Sequence, residues 1–251
     1  MCQLLGISAN KPVNLNFSFK AWRHRGCSNP HGYGFAYWHR GTPHIVKEPR
    51  SLWKKAQKEG NPVQSVRSSM FVCHVRFASA GPPDGSNTHP FDAELHGRHL
   101  VFAHNGTLSR LGELPLHRLK PGGDTDSEHA FLWMLERLHE VPPERFAPAL
   151  KELADRVRSL GRFNFLLSDG QTLWAYADDA LHLIERKPPF GGRLVTALDD
   201  GYTIDLAEVK APDERAVLVA TEPLTDEPGW TRLGRGELAV IKDGAASQRL
   251  S

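Results

Sequence analysis

The apolar residues of this chain change period twice, and the order of those changes restricts the fold. Up to about residue 104 they come in short runs bounded by turn residues, read as strands at 4–8, 33–38, 70–78 and 99–104. Helical spacing then takes over. Over 127–139 the residues Ala130, Phe131, Met134, Leu135 and Leu138 form one stripe, and over 144–160 Phe146, Leu150, Leu153 and Val157 form another. Thr125 with Glu128 fits a capping box ahead of the first helix, and Gly161 fits a C-cap after the second. Short runs return at 163–168, 173–177, 181–185, 216–220 and 237–241, the first two joined as a hairpin through Asp169-Gly170-Gln171-Thr172. A shorter helix is expected over 17–24. Strands, two helices and more strands predict an α+β fold with helices packed on sheet faces and more than one sheet. No repeat or long Pro/Ser-rich linker divides the 251 residues, so one domain over 1–251 is expected.

The charge balance excludes several functions. Lys and Arg number 31 against 29 Asp and Glu, a formal charge of +2, and the basic residues are scattered. Neither a nucleic-acid nor a membrane partner is indicated. The densest basic group, Arg23-His24-Arg25, reads as part of a structural turn. No apolar run reaches the roughly 18 residues of a membrane span, and Met1-Cys2-Gln3-Leu4-Leu5-Gly6 carries neither the n-region nor the h-region of a signal peptide. A cytoplasmic location follows as the expectation.

Three cysteines without CxxC spacing argue against a disulfide framework or a zinc site. Cys73 lies in the apolar run Met70-Phe71-Val72-Cys73 and reads as a small core residue, while Cys27 falls in a Gly/Ser/Asn/Pro-rich loop. Cys2 differs by position. Removal of Met1 would place a free α-amine, with a pKa near 8, beside a thiol with a pKa near 8.5. An amine so placed can take the thiol proton directly or through water, which activates a nucleophile for acyl transfer without a separate histidine.

Three further segments could serve an amino-acid amide. Arg76, at the end of the strand carrying Cys73-His74-Val75, can bind a carboxylate through two parallel hydrogen bonds, although on residue type alone a surface ion pair explains an arginine better. Asn105-Gly106 offers a side-chain amide and a backbone N–H toward a developing oxyanion, although Asn-Gly is also a common turn. Asp126, in Asp124-Thr125-Asp126-Ser127-Glu128, can hold an ammonium group. If Thr125 and Glu128 form the cap, Asp126 has no structural task left.

Read together, Met1-Cys2, Arg25-Gly26, His31-Gly32-Tyr33-Gly34-Phe35-Ala36, His74-Val75-Arg76-Phe77-Ala78-Ser79, Asn87-Thr88-His89-Pro90-Phe91, His104-Asn105-Gly106 and Thr125-Asp126-Ser127-Glu128 resemble the class II glutamine amidotransferases. These belong to the N-terminal-nucleophile hydrolase superfamily. The later Phe163-Asn164-Phe165-Leu166-Leu167-Ser168-Asp169-Gly170 resembles the family's second half, and length and motif order are similar to its stand-alone YafJ-type branch. The resemblance implies a four-layer αββα sandwich of two mainly antiparallel sheets. It implies Cys2 as nucleophile, Asn105 and Gly106 as oxyanion hole, and Arg76 and Asp126 as binders of the glutamine α-carboxylate and α-ammonium. Ser79 and His89 would line the pocket, and Arg25 would support the loop over the nucleophile. Phe77 departs from the pattern, since many synthase-linked members carry Trp there.

No cofactor is implied. The 13 histidines include His96 with His99, and His24 with His31, but no HExxH pattern or convincing ligand set, so no metal is expected. Three functions remain: an amidotransferase subunit that meets an acceptor-binding synthase in trans, an amidohydrolase acting on glutamine or another γ-glutamyl amide, and a catalytically idle binding or regulatory module. Retention of Cys2, Arg76, Asn105, Gly106 and Asp126 argues against the third.

Overall fold

The computed structural model describes residues 2–78, 82–190, 193–195 and 203–251. In chain order its first half contains β1 (Gln3–Val13), α1 (Asn16–Trp22), α2 (Arg25–Ser28), β2 (Tyr33–His39), β3 (Thr42–Glu48), α3 (Leu52–Glu59), β4 (Ser68–Val75), β5 (Phe91–Leu95) and β6 (Arg98–Leu108). Then follow α4 (Asp126–Leu138), α5 (Phe146–Arg158), β7 (Gly161–Ser168), β8 (Thr172–Ala177), β9 (His182–Arg186), β10 (Arg193–Val195) and β11 (Thr203–Asp205). The last elements are α6 (Leu206–Val209), β12 (Ala216–Ala220), β13 (Thr231–Arg232), β14 (Glu237–Lys242) and β15 (Ala245–Leu250).

Among the described residues, one sheet has the order β13-β9-β12-β1-β4-β2-β3 and a second β15-β14-β8-β7-β6-β5, with β10 and β11 as a separate ribbon. All pairings are antiparallel. The sheets face each other across a core that includes Leu4, Val72, Ala103, Leu166, Leu173 and Val219. On the far side of the six-stranded sheet, Phe131, Met134 and Leu135 of α4 and Leu150, Ala154 and Val157 of α5 are buried. Phe131 stacks on Phe102 with ring centroids 4.9 Å apart. On the far side of the seven-stranded sheet, Phe19 and Trp22 of α1 and Leu52 and Ala56 of α3 cover Leu5, Ile7 and Phe35. The layers are therefore α, β, β, α, the four-layer sandwich expected.

Strand β1 sits between β12 and β4 with both faces covered, so it reads as a continuous apolar run rather than an alternating one. Alternation survives only in destination: Leu5 and Ile7 enter the core beneath α1, whereas Leu4 enters the inter-sheet core. Cys73 is buried beneath α1, as expected.

Several expectations need correction. Strand β4 stops at Val75, so Arg76, Phe77 and Ala78 are irregular. Strand β6 continues to Leu108, so Asn105-Gly106 lies inside a strand and not at a turn. The helix expected over 17–24 is α1, ending at Trp22, and α5 follows a 3₁₀ turn at Pro143–Arg145. Gly161 opens β7 rather than capping α5. A Cβ there would lie 2.2 Å from the Thr107 carbonyl oxygen, so the requirement for glycine comes from the neighbouring strand. Thr125 does cap α4, its hydroxyl accepting from Glu128 N at 3.2 Å. The reciprocal half of the box is absent, because the Glu128 carboxylate accepts from Gly122 N and Gly123 N at 2.9 and 2.8 Å.

Candidate active site

Cys2 immediately precedes β1, and both neighbouring strands fix its place. Leu4 N donates to the Thr221 hydroxyl at 2.9 Å, and Thr221 N donates to Leu4 O at 3.1 Å. On the other side, the irregular segment after β4 is strapped down by the His31-Gly32 loop. Arg76 N donates to Gly32 O at 2.8 Å, His31 N to Arg76 O at 3.2 Å, and Ala78 N to His31 Nδ1 at 3.0 Å. The strap points Phe77 N at the sulfur, where it donates to Cys2 Sγ at 3.2 Å. Gly34, next along, lets the following wall approach: a Cβ on it would fall 2.1 Å from His89 O.

Cys2 opens onto a small pocket. Arg76, Phe77, His89, Gly106 and Asp126 are among the residues that line it. Burial pushes the Cys2 thiol up, the Phe77 N–H and the Arg76 charge pull it down, and Asp126 raises it again. Arg76 is only 3% exposed, and its guanidinium donates to Pro82 O at 3.0 Å. Burial lowers its pKa, with Cys2 and Asp84 opposing, but a guanidinium stays charged. A cation, an anion and a sulfur thus share one small space.

Asp126 has the structural task the sequence did not show. Its Oδ2 accepts from Leu108 N at 2.6 Å and its Oδ1 from Ser127 N at 2.9 Å, which ties the start of α4 to the end of β6. Gly106 lines the cavity, and no other residue fits there, since a Cβ would lie 1.8 Å from Arg162 O. Asn105 is buried just behind, its Nδ2 reaching the Thr221 hydroxyl at 3.4 Å. Arg25 stands outside the cavity. It pairs with Glu222, whose other oxygen accepts from Gln3 Nε2 at 3.5 Å, so it braces the segment after β12 beside the start of β1. Its neighbour His24 packs on Trp53 at 4.6 Å, as a structural turn would. Ser79 lies outside the described residues.

Three buried histidines, His74, His89 and His104, surround the cavity, and His89 and His104 line it. His74 and His89 have ring centroids 4.2 Å apart. His74 Nε2 is 3.1 Å from His104 O, and His104 Nε2 is 3.1 Å from Arg162 O. Both nitrogens face carbonyl oxygens and therefore carry the proton, which leaves His104 Nδ1 to accept from the Ser127 hydroxyl at 2.8 Å. Burial drives all three pKa values down, to about 3 for His74. They are neutral scaffold around the site. Sequence reasoning passed over His74 and His104 in this role. It also passed over Thr221 and Asn164, although a lone Asn between Phe163 and Phe165 in an apolar strand was a readable signal. Among the described residues no three His, Cys, Asp or Glu side chains are grouped as a cation would require.

A four-layer αββα sandwich of two antiparallel sheets is the architecture of the amidotransferase type of N-terminal-nucleophile enzyme. The profile described as "Glutamine amidotransferases class-II" matches residues 1–251. The Escherichia coli protein YafJ is 37% identical over 246 residues, covering 94% of this chain and 96% of its own. A crystal structure of a predicted glutamine amidotransferase from Pseudomonas aeruginosa superposes with a TM-score of 0.73 at 28% identity, covering 98% of this chain and all of that one. Glutamine phosphoribosylpyrophosphate amidotransferase from B. subtilis shares the fold, with a TM-score of 0.61 at 17% identity over 96% of this chain and 47% of that one. The chain belongs to the class II glutamine amidotransferase family. Among the described residues no helix is long and apolar enough to cross a membrane.

Proposed function

We propose that this chain releases ammonia from the side-chain amide of glutamine, with Cys2 as the nucleophile once Met1 has been removed. The observation that carries this reading is the Phe77 N–H held 3.2 Å from Cys2 Sγ, in a cavity walled by Arg76 and Asp126. Arg76 binds the α-carboxylate and Asp126 the α-ammonium, which leaves the scissile amide over the sulfur. The α-amine of Cys2 takes the thiol proton, and the thiolate attacks the amide carbon. Gly106 N–H and the Asn105 side chain stabilise the oxyanion. One such donor is typically worth about 3–4 kcal/mol. The C–N bond breaks as the α-ammonium returns its proton to the leaving ammonia, and water hydrolyses the glutamyl thioester to glutamate. His89 completes the pocket, and Arg25 holds the Glu222 segment beside it.

The whole of 1–251 acts as one amidotransferase domain in the cytoplasm. In the B. subtilis relative the matched part is only 47% of the chain. By analogy, an acceptor site for this chain is supplied by a synthase partner in trans. A second reading, hydrolysis of a larger γ-glutamyl amide with water as acceptor, is favoured by Phe77, which is 44% exposed beside Cys2 and offers an apolar surface to a leaving group.

Intact-mass analysis with a diazo-oxo-norleucine tests the reading: loss of Met1 and one adduct on Cys2 are expected, together with inactivity of Cys2→Ala. Labelling of Cys27 or Cys73 instead, or turnover by protein that retains Met1, would refute it. Comparing glutamine with γ-glutamyl peptides as substrates separates the two readings.

A further inference from the structure

We infer that Asn164 is a positioning residue that aims the Gly106 N–H into the Cys2 cavity, an inference that rests on the amidase reading above. Asn164 lies in the middle of β7, fully buried, directly opposite Asn105 in the β6–β7 register. An unsatisfied amide buried at an otherwise apolar position would cost about 1–3 kcal/mol. Here every polar atom is used. Nδ2 donates to Asn105 O at 3.1 Å and to Asp179 Oδ1 at 2.8 Å. Oδ1 accepts from Asp178 N, Asp179 N and Ala180 N at 2.9, 3.0 and 3.1 Å. Acceptors on one side and three N–H donors on the other leave only one orientation for the amide.

The consequence runs through a single peptide group. Asn105 C=O and Gly106 N–H belong to the same planar unit, and its bond is trans, since the cis bonds among the described residues are His89-Pro90 and Pro188-Pro189. In a trans unit the N–H points opposite to the C=O. Holding the oxygen therefore sets the direction of the hydrogen, and Gly106 is on the cavity wall with Cys2. The hold is needed because residue 106 has to be glycine to clear Arg162 O. Glycine is also the residue whose φ turns most freely, so the pairing of β6 with β7 restrains this peptide unit less tightly than it would one between two bulkier residues. Asn164 adds a side-chain hold on that unit to the strand pairing, and its own amide is locked by the 178–180 turn.

The test compares Asn164→Asp and Asn164→Ala with the wild-type chain in one glutamine-hydrolysis assay. Aspartate keeps the size and the acceptor for the three N–H groups and deletes the donor to Asn105 O. Alanine deletes the same donor without adding a charge, so it decides the matter should the acid misfold. Removing an oxyanion donor outright costs about 10²–10³ in rate, so mis-aiming one should lower kcat by about 10–100-fold. KM for glutamine should stay within about threefold. Alkylation of Cys2 by iodoacetamide, which develops no carbonyl oxyanion, should stay within about twofold. A kcat within twofold of wild type, or an alkylation rate that falls in step with kcat, overturns the assignment. A wild-type chain that hydrolyses neither glutamine nor γ-glutamyl amides refutes the amidase reading, and the inference with it.

Discussion

Acidification from pH 7.5 to pH 5.0 should destabilise this protein sharply, and His89 should carry a definable share. His74 and His89 are buried with their rings in contact, and the native state keeps both neutral. Burial is the first cause; the charges of the other histidines and of Arg76 add to it, and Lys47 adds further for His89. In the unfolded chain each returns to a pKa near 6.5. The unfolded state therefore binds the extra protons, so stability rises with pH across the window below 6.5 and is lost as pH falls through it, down to about pH 3 for His74. At pH 5.0 an unfolded histidine is almost fully protonated, which favours unfolding by about 2 kcal/mol per residue. The pair contributes about 4 kcal/mol, against a total stability of about 5–15 kcal/mol for a typical domain. Among the described residues neither ring nitrogen of His89 has a hydrogen-bond partner, so His89→Leu should cost no more than about 1 kcal/mol at pH 7.5. Urea unfolding followed by tryptophan fluorescence at both pH values measures the effect. Between pH 7.5 and 5.0 the variant should lose about 2 kcal/mol less than wild type. Equal losses would mean that His89 is protonated in the native state, and the argument from burial would fail.

Gly106→Ala should destabilise by about 3 kcal/mol or more, seen as a lowered thermal midpoint, because its Cβ would meet Arg162 O at 1.8 Å. Asp126→Asn should raise KM for glutamine at least about tenfold and also cost about 1–3 kcal/mol in urea unfolding, since an amide cannot keep both bonds to Leu108 N and Ser127 N as strong. Arg25→Ala should lower kcat/KM severalfold while costing under about 1 kcal/mol of stability, because its partner Glu222 is 47% exposed. An unchanged kcat/KM would show that Arg25 gives the site no support.

The sequence showed most plainly what repeated patterns encode. Strands with two covered faces, such as β1 and β7, appear as apolar runs, and the stripe of α4 appears at its own spacing. Strands β3, β5 and β15 escaped because they lie at sheet edges with exposed residues, which blurs the alternation. Helix α3 escaped with them, most of its surface facing solvent. The segments that meet at the cavity were legible as short motifs. Their cross-links were not, because each joins positions far apart in the chain: Asp126 to Leu108, Thr221 to Leu4, Asn164 to Asn105. No local propensity records such a partner. Asp126 therefore looked idle, and Glu128 looked like half of a box it does not close.

Chain ends usually fray, but here the beginning is woven into the middle of a sheet, with Gln3 already opposite Val75 and Leu5 already opposite Ala220. An exopeptidase needs several residues in extended, unpaired form. On the proposed reading, Met1 therefore has to leave before β1 is seated between β12 and β4, because freeing the start of that strand afterwards means opening the sheet.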